Sequence, residues 1–63
     1  MIINIFKKTE NDDRLLIQTV IPESFIINYE TKELTLYFPD RPLKYRFDTV
    51  IREYDKNLIT VIL

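Results

Sequence analysis

Sixty-three residues make a single domain, residues 1-63, and the chain carries nine Lys and Arg against ten Asp and Glu, a balance of −1 that excludes a polybasic arm for nucleic acid or for a membrane surface. It has no Cys and no His, which excludes a disulfide framework, a thiolate nucleophile and an imidazole base, and leaves no conventional zinc ligand set. Ten Ile, seven Leu, three Val, four Phe and four Tyr stand beside no Ala and no Gly, a palette that favours strands, since β-branched and aromatic side chains pack well on a pleated surface.

Met1-Ile2-Ile3-Asn4-Ile5-Phe6 reads as a short apolar strand ended by Lys7-Lys8. Thr9-Glu10-Asn11-Asp12-Asp13 is wholly polar and predicts a hairpin loop. Arg14 to Ile21 follows as a second strand, with Leu15, Ile17, Thr19 and Ile21 predicted on one side and Leu16, Gln18 and Val20 on the other, and Pro22 ends it by withholding an N–H. Period-2 alternation is clearest over the next hairpin. Phe25, Ile27 and Tyr29 alternate with Ile26, Asn28 and Glu30, the chain turns at Glu30-Thr31-Lys32-Glu33, and Leu34, Leu36 and Phe38 share a face on the return.

Pro39-Asp40-Arg41-Pro42 predicts the next loop, after which Leu43, Tyr45 and Phe47 point inward and Lys44, Arg46 and Asp48 outward. Residues 48 to 54 admit two readings. One is a short helix near residues 49-56 capped by Asp48 or Thr49; the preferred one continues the strand through a bulge near Asp48-Thr49 and turns at Asp55-Lys56-Asn57. Leu58 to Leu63 closes the chain as a strand. Without Gly, positive-φ turn positions fall to Asn11, Asp12, Asp40, Asp55 and Asn57. The expected architecture is all-β, a single small antiparallel meander of about six strands forming a curled sheet or small barrel, with an α+β sheet carrying one helix as the alternative.

Chemistry-bearing residues are scarce. Ser24 is the only serine and has no base to activate it, so it reads as a strand-entry hydroxyl; the acidic run Glu10-Asn11-Asp12-Asp13 lacks the spacing of a calcium loop. The expectation is therefore a protein with no enzymatic activity, no cofactor and no metal. Two surface readings remain. The terminal segments are apolar on both faces, which admits two readings: Ile3, Ile5, Ile26, Ile59, Val61 and Leu63 are candidates for an interface with a protein partner or a second copy, or the two terminal strands pair centrally and are buried within the domain. Tyr37, Lys44, Tyr45 and Arg46 interleave aromatic and basic groups, as on sheets that stack single-stranded nucleic acid.

The stretch from Phe25 to Leu58 resembles a short domain named for its similarity to a C-terminal extension of some lysyl-tRNA synthetases, through the Thr31-Lys32 turn, Leu34, Leu36, Phe38 and the pair Tyr45 and Phe47. That family's inter-strand glycine and Val-Pro step are replaced here by Asp40-Arg41-Pro42 and Thr49-Val50, so the resemblance carries no site or activity to this chain. The functional expectation is a non-catalytic protein-interaction or regulatory module of the adaptor or inhibitor type, forming a homo-oligomer. The alternative is a small β-barrel that binds nucleic acid. No run of the sequence reaches the length of a membrane span or a secretory h-region, which makes the cytoplasm the expected address. The heavy use of Ile, Lys, Asn, Tyr and Phe, encoded by AT-rich codons, suggests a bacterial or phage source.

Overall fold

The computed structural model describes residues 1–63 and contains seven strands: β1 Ile2–Lys8, β2 Arg14–Val20, β3 Ser24–Asn28, β4 Glu33–Tyr37, β5 Pro42–Arg46, β6 Thr49–Glu53 and β7 Leu58–Ile62. A single 3₁₀ turn, Tyr54–Lys56, separates β6 from β7. The strands form a four-stranded sheet in the order β2-β1-β7-β6 and a three-stranded sheet in the order β3-β4-β5. The all-β expectation holds, with one strand more than expected and two sheets that do not close into a barrel. Residues 49 to 53 are strand, not helix. Thr49, Val50 and Ile51 are β-branched, and pairing with β7 sets Val50 opposite Val61, which a helix there would forgo.

Neighbours in sequence pair as in a meander: β1 with β2, β3 with β4, β4 with β5, and β6 with β7, all antiparallel. The exception joins the ends of the chain. β1 and β7 lie parallel at the centre of the larger sheet, with Ile3 opposite Ile59 and Ile5 opposite Val61. Both segments are apolar on alternate faces at once, and a central position is the one that limits water on each side. The core follows from this pairing. Ile3, Ile5, Ile59 and Val61 from the two central strands meet Leu34 and Leu36 from β4, the central strand of the other sheet, with Phe47 buried beside them.

Phe47 is where the chain changes sheets. Arg46 still pairs with Glu33 on β4, the Phe47 N–H donates to the Lys32 carbonyl at 2.9 Å, and the Asp48 N–H donates to the Ile62 carbonyl at 2.7 Å. The strand continuation expected near Asp48-Thr49 is thus a corner that carries one extended segment from the smaller sheet to the larger. A second irregularity lies in β2. Ile5 pairs with Gln18 but Phe6 with Leu16, so Ile17 is an extra residue and the simple alternation expected for Arg14 to Ile21 breaks there. Turns use Asp12, Lys32 and Asn57 at φ 61°, 56° and 51°; Asp12 and Asn57 are residues that tolerate this region, whereas Lys32 carries the cost of a crowded Cβ. Beside Lys32, the Asn28 side chain accepts from the Glu30 and Thr31 N–H groups at 3.0 and 3.2 Å, closing the β3–β4 turn locally.

Candidate interaction surfaces

The interface predicted from the sequence is mostly core. Ile3, Ile5, Ile59 and Val61 are fully buried, and Leu63 is half-buried against them, because the terminal strands pair with each other instead of lying at an edge. They cannot face a partner. Ile26 alone of that set is on the surface, 57% exposed on β3. The aromatic and basic set also divides. Tyr37, Lys44 and Arg46 lie on the outward face of the smaller sheet, but Tyr45 points inward, where its hydroxyl donates to Gln18 Oε1 at 2.7 Å. Nor does Tyr37 lie across from either cation: it pairs with Pro42, while Lys44 opposes Thr35 and Arg46 opposes Glu33.

The surface has no pocket, so what the fold offers is faces and edges. Opposed residues in a ladder point to the same side, and the registers therefore define each outward face. On the larger sheet that face carries Leu16 and Phe6 beside Ile62, Ile2 beside Leu58, and Ile51, divided by a polar belt of Thr19, Asn4 and Thr60, with Thr49 opposite Ile62, Glu53 opposite Leu58, and Lys8 and Arg14 at one end. Thr19 donates to Asn4 Oδ1 at 2.7 Å within the belt. On the smaller sheet the outward face carries Ser24, Asn28, Glu33, Thr35, Lys44 and Arg46, with Ile26 and Tyr37.

Edges differ as sharply as faces. β5 begins with Pro42 and carries Lys44 and Arg46, and β6 carries Arg52 and Glu53, charges and imide of the kind that discourage strand addition. β3 has no charged residue, and β2 has one, Arg14, in seven. Along β2 the side chains of Leu15, Leu16 and Ile17 are 57%, 50% and 46% exposed. This is the surface that the sequence reading missed. The signal was there in three consecutive apolar residues, which no alternation can bury on an edge.

Three polar features tie the sheets together. The Tyr45–Gln18 bond joins β5 to β2. Lys8 Nζ meets Asp48 Oδ2 at 2.9 Å with both side chains about half exposed, and this hydrogen bond and the Lys8 charge hold the Asp48 carboxyl below its ordinary range while raising Lys8 above its own. On the other side, the Arg52 guanidinium of β6 lies 5.8 Å from the Phe25 ring centroid and 5.0 Å from that of Tyr54, within cation–π range of both. Its Nε is buried without a hydrogen-bond partner.

Fold and surface together define a small two-sheet β module with a mixed topology, one outward face rich in apolar residues, an uncharged edge at β3 and an edge at β2 whose only charge is Arg14. No helix in it is long and apolar enough to cross a membrane. Comparison with protein-family models, curated proteins and solved structures gives no match.

Proposed function

We propose that the chain is a non-catalytic protein-interaction module of the adaptor or inhibitor type, working in the cytoplasm, and that it associates with a second copy along β2. The observation that carries this reading is the exposure of Leu15, Leu16 and Ile17 on an edge strand whose outer backbone groups have no strand beside them. Such an edge is a template for another strand. It is also self-complementary. The bulge at Ile17 leaves Leu16 and Thr19 on the outward face and Leu15 and Val20 on the inward one, as their partners Phe6, Asn4, Lys7 and Ile3 require. Antiparallel pairing about an axis between Ile17 and Gln18 then sets Leu16 beside Thr19 of the second copy, and Leu15 beside its Val20, on matching faces. A cysteine-free chain suits a reducing compartment.

Light scattering across protein concentration tests this directly. A dimer that persists in high salt and disappears in Leu16→Lys supports the reading; a monomer at every concentration overturns it. The competing reading, single-stranded nucleic acid held by Tyr37, Lys44 and Arg46 on the outward face of the smaller sheet, predicts salt-sensitive oligonucleotide binding that Lys44→Glu with Arg46→Glu abolishes.

A further inference from the structure

We propose that Arg52 is the receptor for a carboxylate, carried by an extended segment of a partner protein that pairs with the free edge of β3. This rests on the interaction-module reading and specifies the chemistry of one partner. Arg52 opposes Ile59 in the β6–β7 ladder, so its side chain leaves β6 on the inward side and runs toward β3, where it lies over Phe25. Phe25 and Tyr54 hold the guanidinium by their rings, and neither forms a hydrogen bond with it. The chain has ten carboxylate side chains and forms two ion pairs, Lys8 with Asp48 and Lys56 with Glu53, neither of which involves Arg52. A cation held in place by two rings, with a buried Nε–H that donates to nothing, is a half-made interaction. The two terminal nitrogens, which unlike Nε are not buried, present two parallel donors, the geometry that a carboxylate accepts in bidentate fashion.

The place of the partner follows from β3. Ser24–Asn28 is uncharged, it is an edge, and its Phe25 and Ile27 face inward while Ser24, Ile26 and Asn28 face outward. A residue paired directly opposite Phe25 on an added strand points to the same inward side as Phe25. An acidic side chain at that position arrives where Arg52 waits, and the residues flanking it lie outward beside Ser24 and Ile26. A chain-terminal carboxylate ending at the same position offers the same two oxygens. A phosphodiester strand fits less well, because its affinity comes from several cations in line, and the nearest other cation in sequence, Lys56, is tied to Glu53 at 3.2 Å.

The test is a titration of the full chain, followed through the Arg52 Nε–H and the backbone N–H signals of Ser24 to Asn28. The probe is a short peptide of alternating Thr and Val with one central Glu, acetylated and amidated at its ends. The same peptide with Gln for Glu, and the Gln peptide with a free C-terminal carboxylate, separate the two sources of the carboxylate. The Glu peptide or the free-terminus peptide shifts both sets of signals, and the amidated Gln peptide binds at least about tenfold more weakly. Arg52→Lys, which keeps the charge and the aliphatic stem but not the planar fork, loses the same factor while its other backbone signals stay in place. Equal binding of all three peptides, an Arg52 Nε–H that does not move, or tighter binding of a thymidine oligonucleotide at Arg52 overturns the proposal. If it fails while association along β2 persists in the same samples, the fault lies with Arg52 and not with the interaction-module reading; loss of both removes that reading as well.

Discussion

The two sheets of this protein solve the same problem in opposite ways. Each must bury one face, and each does so with its central strands: β1 and β7 on one side, β4 on the other. Their outward faces part company. The smaller sheet turns Ser24, Asn28, Glu33, Thr35, Lys44 and Arg46 to solvent, the ordinary pattern of a half-wet antiparallel sheet. The larger sheet turns out Leu16, Phe6, Ile62, Ile2, Leu58 and Ile51 around a belt of Thr and Asn, with charges only at Lys8, Arg14 and Glu53, although no third layer covers them. Ile62 is nonetheless buried to 2% exposure on that face. A parallel central pair built from the chain's two most apolar segments stabilises the core but leaves apolar side chains on both sides of the sheet. The difference teaches that the outward apolar face accompanies the central pairing, and that the β2 edge, charged only at Arg14, extends it to a place where a partner can reach.

The comparison can be broken most severely at the core. Ile5→Ala or Ile59→Ala should remove about 2–5 kcal/mol, comparable with the whole ~3–5 kcal/mol that a core of this size supplies, and urea unfolding followed by circular dichroism should find the variant largely unfolded. The second effect separates the two outward surfaces. Leu16→Lys should abolish self-association in light scattering yet change folding stability by less than about 0.5 kcal/mol, whereas Thr35→Lys on the smaller sheet should change neither. Gln18→Ala, which removes the acceptor of the Tyr45 hydroxyl and so one of the links between the sheets, should cost about 1 kcal/mol in the same unfolding assay. Lys32→Gly should gain about 0.5–1 kcal/mol, because φ at this turn is 56° and relief of the ~1–2 kcal/mol Cβ clash exceeds the ~0.5–1 kcal/mol entropy cost of glycine.

The smallest expected effect is electrostatic. Asp48, held low by its hydrogen bond to Lys8 and by the Lys8 charge, contributes stability that is present above the ordinary carboxylate range and lost as acid carries pH down through the lowered value. Lys8, raised by the same two causes from Asp48, keeps its share below the ordinary lysine value and loses it as pH climbs through the raised one. The pair therefore persists through the neutral range. A carboxyl titration by NMR should show the Asp48 midpoint rise toward the ordinary range in Lys8→Met, with the Thr49 hydroxyl still donating to it.

What the sequence made legible was local. Alternation over Phe25 to Phe47 placed Leu34, Leu36 and Phe47 inward, and the turn residues Asp12 and Asn57 occupy the positive-φ positions expected of them. The extended reading of residues 49 to 53 and the irregularity at Asp48 also correspond to the fold. Central pairing of the two terminal strands was open as one of two readings, because apolar residues on both faces of Ile2 to Phe6 and Leu58 to Ile62 demand cover without saying whether it comes from the same chain; Ile3, Ile5, Ile59 and Val61, put forward as an interface, became the core. The bulge at Ile17 was equally hidden: a period-2 reading of Arg14 to Ile21 assumes that no residue is extra. Arg52 read as one more surface charge, since its separation from every carboxylate is a property of the folded chain.

The central claim is that the apolar β2 edge associates with a second copy and the charged β5 and β6 edges do not. Backbone hydrogen exchange measured at low and high protein concentration tests it most directly. Protection that rises with concentration along Arg14–Val20, with Pro42–Arg46 and Thr49–Glu53 unchanged, is the predicted result; exchange along β2 that ignores concentration, or protection that rises on β5 instead, contradicts it.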